Sequence, residues 1–227
     1  MYFTNLILLK ENSYHSLVDW SFDEANNLNQ QFEKSYILSY LTHILGDIHQ
    51  PLHACALINN AHPSGDMGGN LFRIKYKTMR NLHSFWDSVL DKVKDGLKMP
   101  LDSDGLKLLD SYTENIMNEY TRESLEEKME NDYRFKDWIM ESWEHCRDFV
   151  YKKIEDGGEP SKEYIEEGFK IAKERLALAG YRLSNVLSQS YYYYLKAFEH
   201  GPSKLMTMDA PQSEVNTEMT KFLNNEA

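Results

Sequence analysis

The spacing of apolar residues along most of this chain is typical of α-helices. From Phe32 to Gln50 apolar side chains recur every three or four positions, and we expect Pro51 to end or kink the helix that they predict. The same spacing predicts five further helices, over Leu82–Asp95, Leu106–Asn118, Thr121–Glu130, Asp132–Ile154 and Ser161–Leu195. Ser161 is a suitable N-cap residue for the last and longest of them.

The segments outside these helices show little sign of sheet. Residues Ala54–Asn70 are dense in turn formers and predict a loop, whereas Leu71–Tyr76 alternates weakly and predicts a short strand or an extended segment. The polar stretch Phe198–Ala227 is expected to be a flexible tail. We therefore expect a mainly α protein, with a single helical domain over residues 1–197 and a tail over residues 198–227.

The composition is that of one globular domain with an excess of acidic residues. Hydrophobic residues make up 41% of the 227 residues, which is enough for a sizeable core. With 25 Lys and Arg against 36 Asp and Glu, the formal net charge is −11, which argues against capture of nucleic acid by a broadly basic surface. Nucleic acid is not excluded as a substrate, because bound divalent cations can supply positive charge within one cleft.

The sequence itself leaves the cellular compartment open. Cys55 and Cys146 are the only two cysteines, and they form either one disulfide or two buried thiols. No run approaches the roughly 18 apolar residues of a membrane helix. The segment Met1–Lys10 lacks a basic region and a small-residue cleavage site, so it does not predict a signal peptide.

Histidine and aspartate residues recur at ligand-like spacings in one part of the chain. Five of the eight histidines lie between His43 and His83. His43 and Asp47 are four residues apart, as are His83 and Asp87, so each pair can face one ion from the same side of a helix. Imidazole and carboxylate ligands suit zinc. The spacing alone leaves two interpretations of about equal weight, a metal site and a pair of ordinary surface contacts.

Several blocks in this region resemble those of the zinc-dependent nucleases of the mung bean, S-one and P-one type. The family's H-x-x-G-D-x-H-Q-P-L-H block stands at His43–His53, its G-G-N at Gly68–Asn70 and its N-L-H-x-x-W-D at Asn81–Asp87. Two later segments, Trp138–Ser142 and Ala179–Leu183, resemble the family's W-A-x-E-S and A-G-x-R-L.

The resemblance implies three zinc ions in a cleft of a helical fold that is shared with zinc phospholipases C. His53, His83 and Asp87 match the protein ligands of one zinc. His43 matches a ligand of a second zinc, and Asp47 matches the carboxylate that bridges the second zinc to the third.

Three further residues have less direct counterparts in the family. His49 matches no zinc ligand and is expected to pack behind the site. Asn70 matches a residue that helps to shape the nucleotide pocket. His15 is proposed as the remaining histidine ligand of the second zinc, although an ordinary loop histidine is an equally good interpretation.

The upstream part of the family's pattern has no clear counterpart in this chain. The family has an N-terminal Trp and an early His that serve the zinc sites, whereas this chain has no histidine before His15. The simplest hypothesis is that the chain lacks the enzyme's beginning, through truncation or an incomplete gene model.

The resemblance implies hydrolysis of phosphodiester bonds in single-stranded DNA or RNA, and of 3′-nucleotides, by metal-activated hydroxide. The substrate partner would be single-stranded nucleic acid or nucleotides, and we expect a monomer without a membrane span that is secreted or lysosome-like. Two alternatives stay open. One is a lipid hydrolase like zinc phospholipase C, and the other is a zinc-binding remnant of the nuclease family with impaired catalysis.

Overall fold

The structure of the chain is a computed structural model that describes residues 28–93, 100–129 and 134–200, together with Thr217. The chain divides into two compact units. One unit, which we call the central unit, spans Ile44–Tyr181, and the other combines the segments before and after it.

The described residues are mostly helical, as predicted. The α-helices are α1 (Leu28–Asp47), α2 (Leu82–Asp87), α3 (Ser103–Glu119), α4 (Glu126–Met129), α5 (Phe135–His145) and α6 (Lys162–His200). Short 3₁₀ turns cover Pro51–His53, Val89–Asp91 and Glu123–Leu125, and a π-helical turn covers Cys146–Val150. Among the described residues, none of the helices is both long and apolar enough to cross a membrane.

Helix signals in the sequence account for the end of α1 and for the start of α6. Helix α1 ends at Asp47 and Pro51 opens a new 3₁₀ turn, so the predicted break at this proline is confirmed. At the start of α6, the Ser161 hydroxyl oxygen accepts a hydrogen bond from the main-chain N–H of Tyr164 at 3.1 Å, which confirms the predicted N-cap. Helix α6 continues to His200, beyond the predicted end at Leu195, and most of the predicted tail lies outside the described residues.

The helix predicted over Leu82–Asp95 is wrong in its second half. Helix α2 ends at Asp87, and after Ser88 the chain turns through Val89, Leu90 and Asp91 with φ angles of 54°, 54° and 59°. This turn places Leu90 in the core with none of its surface exposed. Burial of one large apolar side chain therefore outweighs the helical pattern at this point.

The single sheet of the described residues is a short hairpin that leads into α2. Strand β1 (Arg73–Tyr76) confirms the predicted extended segment, and it pairs antiparallel with β2 (Met79–Asn81). Arg73 lies opposite Asn81, and Tyr76 opposite Met79. Strand β2 was missed because three residues carry too little pattern to be recognised.

The core of the central unit surrounds a disulfide and a set of aromatic rings. Cys55 and Cys146 form a disulfide that joins the loop after His53 to the end of α5, which resolves the two alternatives left by the sequence. Trp86 donates its indole N–H to the Tyr164 hydroxyl at 3.0 Å. The buried members of this core come from the 3₁₀ turns at Pro51–His53 and Val89–Asp91, the hairpin and the residue before it, α2, the π-turn and α6. They are Leu52, Phe72, Ile74, Leu82, Phe85, Trp86, Leu90, Cys146, Val150, Tyr164 and Ala172.

Candidate metal centre

Three side chains from two separate segments meet at one point in the central unit. His53 ends the 3₁₀ turn after α1, while His83 and Asp87 lie four residues apart in α2. The ligand atoms of all three lie within 4.8 Å of one another. The Nε2 atoms of His53 and His83 lie 3.4 and 3.3 Å from the two different oxygens of Asp87. We call these three residues the ligand group.

The Nε2 atom of His53 is the ring nitrogen of the ligand group whose hydrogen-bonding capacity is not satisfied. It is buried, and it makes no hydrogen bond with any residue that the structure describes. The other ring nitrogen, Nδ1, lies 3.4 Å from Oδ2 of Asp47. A carboxylate in this position orients a metal-binding imidazole and fixes which nitrogen faces the metal. A buried ring nitrogen that makes no hydrogen bond is energetically costly, and a metal ion at this point would satisfy it.

Gly68 fixes the ring of His83. The Nδ1–H of His83 donates to the Gly68 carbonyl oxygen at 2.7 Å, so the lone pair of the neutral ring is on Nε2, which faces Asp87. Gly68 has a φ angle of +62°, and a Cβ atom there would lie 2.6 Å from the Leu52 carbonyl oxygen. Glycine is therefore required at this position for the loop, the His53 turn and α2 to pack together.

Asn81 and Gly69 place His83 at the start of α2. The Asn81 side-chain oxygen accepts from the main-chain N–H of Ser84 at 2.8 Å and caps the helix. The Gly69 carbonyl oxygen accepts from the main-chain N–H of His83 at 3.2 Å. The G-G-N and N-L-H blocks of the sequence are thus joined by their main chains.

Gln50 connects the two segments of the ligand group. Its side-chain oxygen accepts from the Leu52 N–H and caps the 3₁₀ turn, while its Nε2 donates to Asp87 at 2.8 Å. Burial raises the pKa of Asp87, but contacts with His53, His83 and Gln50 outweigh burial and hold that pKa well below its usual value. The hydrogen bond to Asp87 raises the pKa of His83 above its usual value, while burial opposes this change. Asp87 is therefore ionised over the physiological pH range.

A buried arginine holds the end of α1 in place. Arg175 in α6 is 3% exposed, and its Nε donates to the His49 carbonyl oxygen at 3.2 Å. Its Nη2 donates to the Ser142 hydroxyl at 2.8 Å, and its Nη1 forms an ion pair with Glu141. The Ser142 hydroxyl in turn donates to the Ile48 carbonyl oxygen at 2.6 Å. These bonds fix the main chain just before the turn that carries His53.

A buried carboxylate holds the loop that leads to Gly68. Asp66 is fully buried, and its Oδ1 accepts from the Leu57 N–H at 2.9 Å. Its Oδ2 accepts from the Tyr151 hydroxyl at 2.7 Å. Burial raises the pKa of Tyr151, and the neighbouring carboxylate raises it further, so this hydroxyl remains a donor.

The structure brings four of the seven predicted site residues close together. His43 is exposed and lies four residues before Asp47 in α1, and it belongs to the other unit, so its ligand role stays a prediction. His15 lies outside the described residues. The four that lie together are Asp47, His53, His83 and Asp87.

Asn70 and His49 lie beside the ligand group rather than in it. Asn70 is exposed, and its side-chain amide donates to the Met67 carbonyl oxygen at 2.9 Å, so its role in nucleotide binding also stays a prediction. His49 is 2% exposed, donates from Nδ1 to the Leu45 carbonyl oxygen at 2.7 Å and packs against Trp138. It is a packing histidine, as expected.

The residues that support the site were not recognised in the sequence. Gln50 belongs to a quoted block but was given no role, and Asp66 was interpreted as one of several turn formers. Arg175 left no signal in the sequence, because it donates hydrogen bonds to the main-chain carbonyl oxygens of His49 and Trp138 and to the Ser142 hydroxyl. A pattern of side-chain types does not reveal such contacts. The buried position of Arg175 in α6 is visible only in three dimensions.

The residues of the ligand group fit a zinc ion. Two imidazole nitrogens and one carboxylate are a ligand set of catalytic zinc sites, which keep a further coordination position open. The Asp87 side chain is 47% exposed and that of Asp47 is 37% exposed, so this side of the group faces solvent. The buried Nε2 of His53 lies 3.4 Å from Asp87 but makes no hydrogen bond, and this distinguishes the group from an ordinary surface cluster.

The sequence of this chain is similar to those of several known nucleases. Endonuclease 2 of Arabidopsis thaliana is 27% identical over 175 residues, which cover 75% of this chain and 57% of that protein. Endonuclease 4 of the same plant is 27% identical over 158 residues, covering 68% and 50%. Nuclease S1 of Aspergillus oryzae (strain ATCC 42149 / RIB 40) is 29% identical over 159 residues, covering 65% and 51%. The chain spans about half the length of these curated relatives.

A sequence model of a protein family also matches most of this chain. The sequence model of the family described as S1/P1 nuclease matches residues 17–192. This range includes the ligand group, the loop of Gly68 and the supporting Arg175. Because the match covers well over half of the chain, the protein belongs to the S1/P1 nuclease family.

Proposed function

We propose that this chain is a zinc-dependent nuclease that hydrolyses phosphodiester bonds in single-stranded DNA and RNA, and that also releases phosphate from 3′-nucleotides. The observation that carries the proposal is the ligand group, in which two oriented imidazoles and an ionised carboxylate converge on one point. The family match supports the nuclease activity, and the ligand set supports zinc.

Each residue of the group has a defined task in this proposal. His53 and His83 would present Nε2 lone pairs, since Asp47 and the Gly68 carbonyl oxygen occupy the other side of each ring. Asp87 would contribute the anionic oxygen. A zinc ion bound there supplies a Lewis acid that polarises a phosphoryl oxygen and lowers the pKa of bound water to about 7. The exposed side of Asp87 leaves room for a phosphodiester to approach.

The second zinc site of the family remains a prediction from sequence. Asp47 lies beside His53, while His43 and His15 are assigned to this site by resemblance only. The alternative of a zinc-binding remnant is therefore distinguished by the number of zinc ions bound. The alternative of a lipid hydrolase is disfavoured by the family match and by the names of the relatives, which are endonucleases.

A secreted or lysosome-like location is also part of the proposal. The Cys55–Cys146 disulfide supports it, because disulfides form and persist in oxidising compartments and are rare in the cytosol. A monomer is the expected state.

The experiment compares purified wild-type protein with His83→Ala and with His62→Ala as a matched control. His62 is a partly buried loop histidine that pairs with Asp156 and does not belong to the ligand group. Zinc content is measured by elemental analysis, and activity is measured on single-stranded DNA, on a 3′-nucleotide and on phosphatidylcholine. We expect hydrolysis of the first two substrates, loss of zinc in His83→Ala, a loss of activity of roughly a hundredfold or more in that variant, and little change in His62→Ala.

Two results would contradict the proposal in different ways. Zinc-loaded wild-type protein that leaves single-stranded DNA intact would overturn the nuclease activity, and turnover of phosphatidylcholine would replace it with the lipid alternative. A His83→Ala variant that keeps its zinc and its activity would overturn the assignment of the ligand group.

A further inference from the structure

A cationic hairpin lies next to the ligand group. Residues 73–81 contain no acidic residue, in a chain whose formal net charge is −11. Strand β2 leads directly into α2, so the hairpin is continuous with the helix that carries His83 and Asp87. The exposed basic residues of the hairpin are Arg73, Lys75, Lys77 and Arg80.

Two of these cations line one cavity beside α2. Arg73 and Arg80 line it together with Asn70, Leu71 and Asn81. Asn81 is the N-cap of α2 and lies two residues before His83. Asn70 follows the glycine whose carbonyl oxygen accepts the main-chain N–H of His83. The cavity and the ligand group therefore share the same stretch of main chain.

The two arginines keep their charge available for a ligand. Lys77 forms an ion pair with Asp91, but within the described part of the chain neither Arg73 nor Arg80 forms an ion pair. The nearby carboxylate of Asp156 is engaged in other contacts, because it accepts from the main-chain N–H of Arg73 at 2.8 Å and lies 2.8 Å from Nε2 of His62. Arg73, Lys75 and Arg80 form no ion pair among the described residues, and of these three only Arg73 and Arg80 line the cavity. The charges of Arg73 and Asp156 interact, so Asp156 offsets part of the charge of Arg73.

We propose that Arg73 and Arg80 form a phosphate-binding subsite for single-stranded nucleic acid, beside the metal centre. This inference rests on the proposed function. A guanidinium group presents several N–H donors in a planar fork that matches two oxygens of a phosphodiester. Contacts of this kind position a strand without reading its sequence. In an acidic protein, two local cations beside the ligand group would direct the phosphate backbone to it.

The proposal is tested with the double variant Arg73→Gln/Arg80→Gln. Its control is Lys107→Gln/Lys136→Gln, which removes the same charge from exposed positions on α3 and α5. Binding of a fluorescent, hydrolysis-resistant phosphorothioate oligothymidine to the zinc-loaded proteins is followed by anisotropy over a range of salt concentrations. Turnover of long single-stranded DNA and of a 3′-mononucleotide is measured in parallel, and circular dichroism verifies the fold.

We expect the Arg73→Gln/Arg80→Gln variant to bind roughly tenfold more weakly, because it loses two charge-assisted contacts with phosphate. The slope of log affinity against log salt should fall by about 1.4, because each phosphate contact on a single strand contributes about 0.7. KM for long DNA should rise, while turnover of the 3′-mononucleotide should be unchanged. The lysine control should match the wild type in both affinity and slope.

The outcomes separate this subsite from the proposed function. If the wild type binds the oligonucleotide through these arginines but cleaves nothing, the subsite stands and the nuclease proposal fails. If the wild type cleaves DNA but the arginine variant binds with unchanged affinity and slope, the subsite is overturned. Wild-type protein that fails to bind the oligonucleotide, or that binds phosphatidylserine vesicles through the same arginines instead, also overturns it.

Discussion

Gly68 offers the sharpest test of how the metal centre is assembled. In Gly68→Ala the new Cβ atom would meet the Leu52 carbonyl oxygen at 2.6 Å, whereas ordinary van der Waals contact begins near 3.4 Å. The two segments must therefore separate by several tenths of an ångström. Because Leu52 precedes His53, and because the Gly68 carbonyl oxygen holds the His83 ring, this movement separates the ring nitrogens of His53 and His83 that are proposed to bind zinc.

The expected loss of stability has two parts, and a control variant isolates the first of them. An alanine in the left-handed region costs about 1–2 kcal/mol, and overpacking adds about 1–3 kcal/mol. Gly157→Ala isolates the first part, because Gly157 has a φ angle of +79° and open space around its Cβ position. Gly180→Ala involves neither the left-handed backbone nor overpacking, because Gly180 lies within α6 and has open space around its Cβ position. This variant should raise the free energy of unfolding by up to about 1 kcal/mol.

The assay is urea unfolding of the zinc-free proteins, with zinc affinity measured separately by competition with a coloured chelator. We expect Gly68→Ala to unfold at lower urea than Gly157→Ala and to bind zinc at least about tenfold more weakly, as is typical when a group that orients a ligand is disturbed. Gly157→Ala should keep its zinc affinity. Equal stability and equal zinc affinity in these two variants would refute the close approach of Gly68 to Leu52 as the basis of the site.

Three further predictions concern the supports of the site. Replacing Cys55 and Cys146 with serine should lower the free energy of unfolding by up to about 4.5 kcal/mol, because the two cysteines are 91 residues apart and the disulfide restricts the unfolded chain. Urea unfolding without reductant measures this loss, and an unchanged midpoint would contradict it. Arg175→Met should cost about 3–5 kcal/mol by leaving buried partners unpaired, and calorimetry that finds a change below 1 kcal/mol would speak against its supporting role. Asp87→Asn should lower the pKa of His83 in the zinc-free protein, as followed by NMR titration. Because the folded-state pKa of His83 is raised, the stability from this pair is present below the unfolded value of 6.5 and is lost as the pH rises through the folded pKa. The asparagine variant should lack this pH dependence, and one that retains it would contradict the contact.

The parts of the fold that could be predicted are those fixed by local pattern. The periodicity of α1 and α6, the break at Pro51 and the cap at Ser161 depend on a few neighbouring residues, and the structure agrees with each. The end of α2 could not be predicted, because it depends on burial of Leu90 in a core built from distant segments. Sequence periodicity does not show which apolar residue will be buried in a core built from segments far apart in the chain.

The candidate site shows the same division. The spacing of His83 and Asp87 indicates that both face one side of a helix, but their meeting with His53 depends on the loop of Gly68 folding back onto Leu52. The role of Arg175 could not be predicted, because it binds main-chain carbonyl groups, which every residue has. Only the resemblance to a family, which records the outcome of folding, assigned His53 to the same ion.

The disulfide also orders events during synthesis of the chain. The four clustered residues, from Asp47 to Asp87, emerge before Cys146, which follows Cys55 by 91 positions. Until Cys146 arrives, the Cys55 thiol remains unpaired only two residues after His53. A thiolate is a strong zinc ligand, so in a new chain it would compete with the proposed ligands for a zinc ion. Formation of the disulfide would remove this competitor and leave the imidazole and carboxylate groups as the ligands of the proposed site.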